Sequence, residues 1–274
     1  MQSNKIKKTP RPADIPVIIL CGGRGSRLQE ETQIIPKPLV RIGEKPILWH
    51  IMQIYSAAGF NRFILPVGYK GEKIKEYFYH YAPLNSDFTV QLGAPQTKRL
   101  VVFNQPVQEK WKITAIDTGL AAMTGARIKK IEKYVKSKIF MVTYGDGLAN
   151  INIKNLLTFH LRHGKIGTVT GVPPLSRFGE LDIKNNQVIR FGEKPPVSNT
   201  YINGGFFVFN SSFFKYLKTN DECILEREPL EKLAAHGELM AYKHNDFWHC
   251  MDTIRDLEYL KEQWECEHPA WKVW

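Results

Sequence analysis

Cysteine is scarce in this chain. Four residues, Cys21, Cys223, Cys250 and Cys266, stand among 274, with no Cys-x-x-Cys pair and no framework spacing. That excludes a small disulfide-stapled scaffold and the common structural zinc sites. No apolar run reaches the length needed to cross a bilayer, and no apolar N-terminal stretch resembles a signal peptide, so the expected setting is the cytoplasm, away from membranes. Two familiar phosphate-binding patterns are missing as well: no Gly-x-Gly-x-x-Gly and no loop ending Gly-Lys-Ser/Thr. Acidic residues are outnumbered, 27 against 38 Lys and Arg, for a net charge of +11 and a pI near 9.4. Such a balance asks for a polyanionic partner. Nucleic acid is not expected, because the basic residues are spread along the chain with no RRM signature and no long basic helix. Small phosphorylated ligands satisfy the same charge, and a solvated basic surface accounts for most of the excess.

What the chain does have is enough apolar content, 43%, to bury a sizeable core, with aromatics at 12% to wall a pocket. Short apolar runs alternate with amphipathic stretches, the pattern of a sheet covered by helices. Val17-Ile18-Ile19-Leu20 reads as a first buried strand, Pro46 to Ala58 as a helix closed by Gly59, and Phe63 to Val67 as a second strand. Ile139 to Thr143 and Gly167 to Val172 read as strands around a helix at Ile153 to His163. Asn185-Asn186 marks a hairpin, Tyr201 to Phe209 a further strand, and Arg227 to His236 and Thr253 to Trp264 two helices. The expected fold is α/β, with a Rossmann-like mixed sheet, helices on both faces and a small β-rich C-terminal extension. Residues 1–15 are read as a basic arm outside the core. Residues 16–274 are read as one domain, with a nucleotide-binding half to about residue 150 and a second-substrate half after it.

Three segments point to phosphate chemistry. Leu20-Cys21-Gly22-Gly23-Arg24-Gly25-Ser26-Arg27 follows the first strand directly. Glycines 22, 23 and 25 let a backbone turn tightly and approach phosphate oxygens, and Arg27 adds a fixed charge. Ten residues on, Pro36-Lys37-Pro38 stiffens the chain around one lysine, which is expected to be extended, exposed and aimed at a phosphate. Thr143-Tyr144-Gly145-Asp146-Gly147 puts Asp146 at the carboxyl end of a strand, where an acid can ligate Mg2+ on a triphosphate, or where an Asp-Gly turn can simply close a loop. A second acid would decide for the metal, and Asp252 in Met251-Asp252-Thr253 is the candidate.

With these segments in place the chain resembles the sugar-phosphate nucleotidyltransferases, and within them the cytidylyltransferase branch. The resemblance also runs through Gly43 to His50, Asp117-Thr118-Gly119, Met123 to Arg127, Arg177-Phe178-Gly179, Glu193-Lys194-Pro195, Asn203 to Phe207 and Phe247-Trp248, in the family's order. It implies CTP and a sugar 1-phosphate, such as glucose 1-phosphate, as substrates, Mg2+ as cofactor and a homo-oligomer, a hexamer by resemblance. It also assigns roles. Leu20, Gly22, Gly23, Gly25, Ser26, Arg27, Lys37, Thr118, Arg127, Gly145 and Asp146 would bind the nucleotide, with Arg27 and Lys37 catalytic. Asp146 and Asp252 would hold the metal, and Glu193, Lys194 and Asn203 the sugar phosphate. Another nucleotide (UTP, dTTP), another sugar, or a non-catalytic sensor of the same fold stay open. The chain departs from the family at Cys21, Ser26, Ile35 and Ala126, and at His249-Cys250, where Gln-Pro is expected. The last departure bears on the sugar. Outside these segments, His160 and His163 read as a solvated helix face, Cys21 as packing, and Trp264, Trp271 and Trp274 as tail packing or a subunit contact.

Overall fold

The computed structural model describes residues 10–95, 100–103, 109–174, 180–192 and 200–274. Its centre is a seven-stranded sheet made of β1 (Val17–Leu20), β2 (Arg62–Val67), β3 (Lys112–Asp117), β4 (Ile139–Tyr144), β5 (Gly167–Val172), β6 (Ile202–Asn210) and β7 (Leu239–Lys243). The spatial order is β7-β5-β6-β4-β1-β2-β3. β6 runs antiparallel to both neighbours, and every other pairing is parallel. The sheet is mixed, as the sequence suggests.

Alternation along each strand explains why both faces are covered. Val17 and Ile19 of β1, Phe63 and Leu65 of β2, Met141 of β4 and Phe206 and Val208 of β6 enter one apolar cluster. Their neighbours Ile18, Ile64, Phe140, Val142, Phe207 and Phe209 enter a second cluster. Successive side chains of a strand point to opposite faces, so a run that is apolar throughout is buried from both sides. The first face is covered by helices α1 (Ile47–Ala57), α2 (Gly71–Tyr79), α4 (Ile153–His163) and α6 (Ile254–Glu265). The second is covered by α3 (Thr124–Lys130) and α5 (Glu228–Ala235). Ile15 is fully buried in the first cluster, so the core reaches one residue into the stretch expected to be an arm.

Helix ends follow their local chemistry. Pro46 caps α1 in extended geometry, and the chain leaves that helix at Gly59 with φ 92°. The Asn152 side chain accepts the Asn155 amide at the start of α4, and Gly164 closes it with φ 68°. Asn185 and Asn186, both at positive φ, form the tight turn between Glu180–Lys184 and Gln187–Gly192. The β-rich C-terminal part divides between the main sheet, this hairpin and a ribbon in which Trp248–Cys250 pairs with Gly147–Ala149.

The chain moves from β1 outward to β2 and β3, then returns to lay β4 against the other side of β1. The carboxyl ends of β1 and β4 therefore meet at a topological switch point, where an open sheet leaves a crevice.

Candidate active site

The crevice is a cavity of about 480 Å³, lined by the β1 loop (Leu20 to Gly23, Gly25 to Arg27), Lys37 and Pro38, Ala122 to Thr124 with Arg127, Tyr144 to Asp146, and Cys250 with Asp252. Both segments that follow β1 and β4 are here because the strands end here. The ribbon brings the third. Cys250 pairs with Gly147, and the Met251 amide donates to the Asp146 carbonyl at 2.8 Å, so Asp252 lands beside Asp146 across more than a hundred residues of sequence.

Lys37 joins the two acids. Its Nζ donates to Asp146 Oδ2 at 2.5 Å and to Asp252 Oδ1 at 2.8 Å, and the Arg27 guanidinium donates to Asp252 Oδ2 at 2.8 Å. The lysine side chain is only 12% exposed, which corrects the expectation of an exposed lysine. Extended geometry, expected at Lys37, is found at Pro36 (ψ 146°), while Lys37–Leu39 forms a short 3-10 turn. A proline at the second position of such a turn lacks an N–H that would have gone unpaired anyway. Burial opposes the Lys37 ammonium, but Asp146 and the hydrogen bonds to both acids outweigh it and hold its pKa above the ordinary lysine value. Arg27 is 75% exposed at the mouth.

Arg127 works from underneath. It is 4% exposed, and its guanidinium donates to the carbonyls of Val67 (3.2 Å), Gly119 (2.9 Å) and Gly22 (2.9 Å) and to Thr118 Oγ1 (2.6 Å). Thr118, 2% exposed, in turn donates to the Val67 carbonyl at 2.8 Å. The pair ties the glycine loop to the ends of β2 and β3. Burial lowers the Arg127 pKa below the ordinary arginine value, with Asp117 and Asp221 opposing. A Cβ on Gly22 would fall 2.2 Å from the Arg127 guanidinium carbon, and one on Gly68 would fall 2.5 Å from its Nη1, so the guanidinium is clamped between two glycines. Gly23 differs: a Cβ there would meet nothing within 4 Å.

Asn203, expected at the sugar, donates to the Tyr144 hydroxyl at 3.0 Å, and Tyr144 donates in turn to Glu226. Thr124 donates to the other oxygen of Glu226 at 2.7 Å. Glu226, and Tyr144 and Thr124 as individual side chains, escaped the sequence reading. Glu226 stands only one residue ahead of the Arg227 helix start and carries no motif of its own. Glu193 and Lys194, and the segment Arg177 to Gly179, lie outside the described residues.

The ribbon also settles His249. Cys250 faces the cavity, whereas His249 turns to α6, with Nε2 3.2 Å from Asp256 Oδ1 and its ring 4.6 Å from that of Tyr259. Asp256 meanwhile caps α6, accepting the Asp252 amide at 3.1 Å and the Thr253 amide at 2.8 Å. Burial first, then Asp146 and Asp252, pushes the Cys250 thiol pKa up. His160 is 1% exposed and bonded to Thr168, so it is a core residue and not part of a solvated face. Trp264, Trp271 and Trp274 pack around His50, as tail packing requires.

A glycine loop on a buried arginine and a lysine bridging two acids thus meet in one strand-end crevice. The family model described as "Nucleotidyl transferase" matches residues 16–265. The chain belongs to the nucleotidyl transferase family. It is 48% identical over 258 residues to the glucose-1-phosphate cytidylyltransferase of Salmonella typhimurium, covering 94% of this chain and 98% of that one. It is 45% identical over 257 residues to the probable glucose-1-phosphate cytidylyltransferase of Bacillus subtilis, covering 94% and 99%. The fold superimposes on the crystal structure of HddC from Yersinia pseudotuberculosis with a TM-score of 0.65 at 24% identity, covering 92% of this chain and all of that one.

Proposed function

We propose that this chain transfers the cytidylyl group of CTP to glucose 1-phosphate, giving CDP-glucose and pyrophosphate. The observation that carries this reading is the 48% identity to a glucose-1-phosphate cytidylyltransferase along almost the whole of both chains. The cavity geometry fits the chemistry. A sugar phosphate is already ionised at neutral pH, so its oxygen attacks the α-phosphorus without a covalent enzyme intermediate. The new P–O bond forms as the bond to the β-phosphate bridging oxygen breaks, and the electron pair leaves with pyrophosphate. The protein's part is orientation and charge neutralisation, and orientation alone can contribute roughly 7–11 kcal/mol.

The roles follow from position. The open space over Gly23 supports backbone contact with phosphate oxygens, and Arg27 at the mouth can turn to the outer phosphates. Lys37 lies deeper and would neutralise the α-phosphate. Nucleotidyltransferases of this family generally use a divalent metal, and the donor set here fits one: oxygens of Asp146 and Asp252 and the sulfur of Cys250 lie within 4.8 Å of one another. We assign Mg2+ to Asp146 and Asp252, where it would add positive charge on the reacting phosphates. Glu193, Lys194 and Asn203 are proposed at the sugar phosphate.

A panel of triphosphates (CTP, UTP, dTTP) against several sugar 1-phosphates, read by pyrophosphate release, tests the assignment. CTP with glucose 1-phosphate is expected to give the highest kcat/KM. Preference for UTP or dTTP would remove the cytidylyl assignment, inert glucose 1-phosphate the sugar assignment, and no release with any pair would leave a binding protein. Full activity in EDTA, or in Asp146→Asn and Asp252→Asn, would remove the metal.

A further inference from the structure

Cys250, on the cavity wall, is a ligand-bearing side chain that the transfer chemistry leaves unused. Cys250 stands where the family resemblance leads one to expect proline, which has no donor atom. Its sulfur and one oxygen each of Asp146 and Asp252 are mutually within 4.8 Å. The ribbon fixes this convergence through backbone contacts: Cys250 pairs with Gly147, and Met251 bonds back to the Asp146 carbonyl. Cys250 is half-buried on the cavity wall, and Cys21, on the same wall, lies outside the ligand set.

We propose that Cys250 is a third protein ligand at the metal position and turns its preference toward thiophilic divalent ions such as Zn2+ and Co2+. The proposal rests on the reading that Asp146 and Asp252 bind the metal. Mg2+ is a hard ion that takes oxygen ligands and gains nothing from sulfur. A thiolate selects softer ions, and three protein ligands with an open position is the form of a catalytic zinc site. As the sulfur–metal bond forms, the thiol proton leaves to solvent, so the set becomes two carboxylates and one thiolate. The ammonium of Lys37, now shared by both acids, marks the same spot as one that accepts a cation.

Titration of Co2+ into the full-length protein, with and without CTP, tests this through the sulfur-to-cobalt charge-transfer band, which lies clear of nucleotide absorption. Parent protein and Cys266→Ser should both show the band. Cys250→Ser and Cys250→Ala should lack it and bind Co2+ roughly tenfold more weakly or worse. Asp146→Asn and Asp252→Asn should weaken Co2+ binding as well. If the Cys250 variants keep the band and the affinity while the Asp variants lose them, the sulfur ligand falls and the metal assignment stands. A band lost in the Cys250 variants yet untouched in both Asp variants places the sulfur's metal elsewhere and overturns the shared site. If no variant changes Co2+ binding, both assignments fall.

Discussion

Replacing Gly22 by alanine should unseat the arginine beneath the loop. The new Cβ would lie 2.2, 2.3 and 2.4 Å from Cζ, Nη1 and Nε of Arg127. Carbon atoms in contact sit near 3.5 Å, so the guanidinium has to retreat by roughly 1 Å or more. It cannot, because a Cβ at Gly68 would already be 2.5 Å from Nη1, which shows how close the chain passes on that side. The variant must either lift the loop or surrender the bonds to Gly22, Val67, Gly119 and Thr118. Overpacking costs about 1–3 kcal/mol, and each hydrogen bond to a charged group is worth about 1.5–3 kcal/mol, so a loss near 3–5 kcal/mol is expected. A loop lifted by about 1 Å should also cost roughly 10²-fold in kcat/KM. Urea unfolding and pyrophosphate release measure the two effects. Gly68→Ala, outside the cavity lining, should reproduce the stability loss by striking the same guanidinium. Gly23→Ala, with nothing near its Cβ, should leave stability within about 0.5 kcal/mol and impair only turnover. Gly22→Ala as stable as the parent, or Gly23→Ala as damaged as Gly22→Ala, would refute the clamp.

Three other outcomes follow from the same geometry. Lys37→Ala should abolish most pyrophosphate release and also destabilise the fold by about 1–3 kcal/mol, because two acids lose their shared donor; near-normal release would remove Lys37 from the chemistry. His249→Gln should change kcat/KM for glucose 1-phosphate by less than about twofold, since the ring faces Asp256 and Tyr259; a switch of sugar preference would show that it reaches the substrate. His50 and His160 are both pushed down to about 4 from the ordinary 6.5, by burial above all. The unfolded chain then takes up protons near pH 6.5 that the folded chain refuses, so their contribution is present above pH 6.5 and is lost as pH falls toward 4. Unfolding at pH 7 and pH 5 should differ by about 2 kcal/mol for each histidine, and His160→Asn should shed its share; an unchanged difference would argue against a buried neutral imidazole.

Much of the fold could be read directly, for a physical reason: strands buried on both faces are apolar without interruption, and β1, β2 and β4 are such strands. β3 was not read, because Lys112 to Asp117 mixes Lys, Thr and Asp with isoleucines at the sheet edge, where one side meets solvent. The site residues that announced themselves were those whose backbone demands are local, namely the glycine loop, the proline-flanked lysine and the Asp-Gly turn. What they touch was not legible. The burial of Lys37 depends on Asp252, which the ribbon brings in from 215 residues away, and no local pattern at Lys37 encodes that meeting. Gly68 likewise looks like an ordinary turn residue until Arg127 is seen lying against it. His160 misled for the opposite reason: a polar side chain on an amphipathic helix reads as solvated unless Thr168 and Asn210 are known to be waiting for it.

Arg27 and Lys37 are both bound to Asp252, and Lys37 also to Asp146, so two cations and two acids cancel within the cavity. A triphosphate arriving without metal must compete with carboxylates for the same two cations, and those carboxylates repel it. A metal on Asp146 and Asp252 would relieve both problems at once. Removing one acid should therefore relieve part of the competition even when no metal is present. In Asp252→Asn, Arg27 loses its partner and Lys37 keeps only Asp146, and one negative charge leaves the approach path. Two unit charges about 4 Å apart interact by about 1 kcal/mol in water and by more at the lower effective dielectric of a partly enclosed cavity. Metal-free CTP should then bind at least about fivefold more tightly to Asp252→Asn than to the parent. Calorimetry in EDTA reads this directly, while pyrophosphate release in Mg2+ should fall in the same variant. Tighter metal-free binding together with lost turnover would mean that Asp252 restrains the cations until the metal arrives. Unchanged or weaker CTP binding in EDTA would show that the lysine and arginine are not held back by the acids, and the salt bridges would then be no more than packing around the ends of β1 and β4.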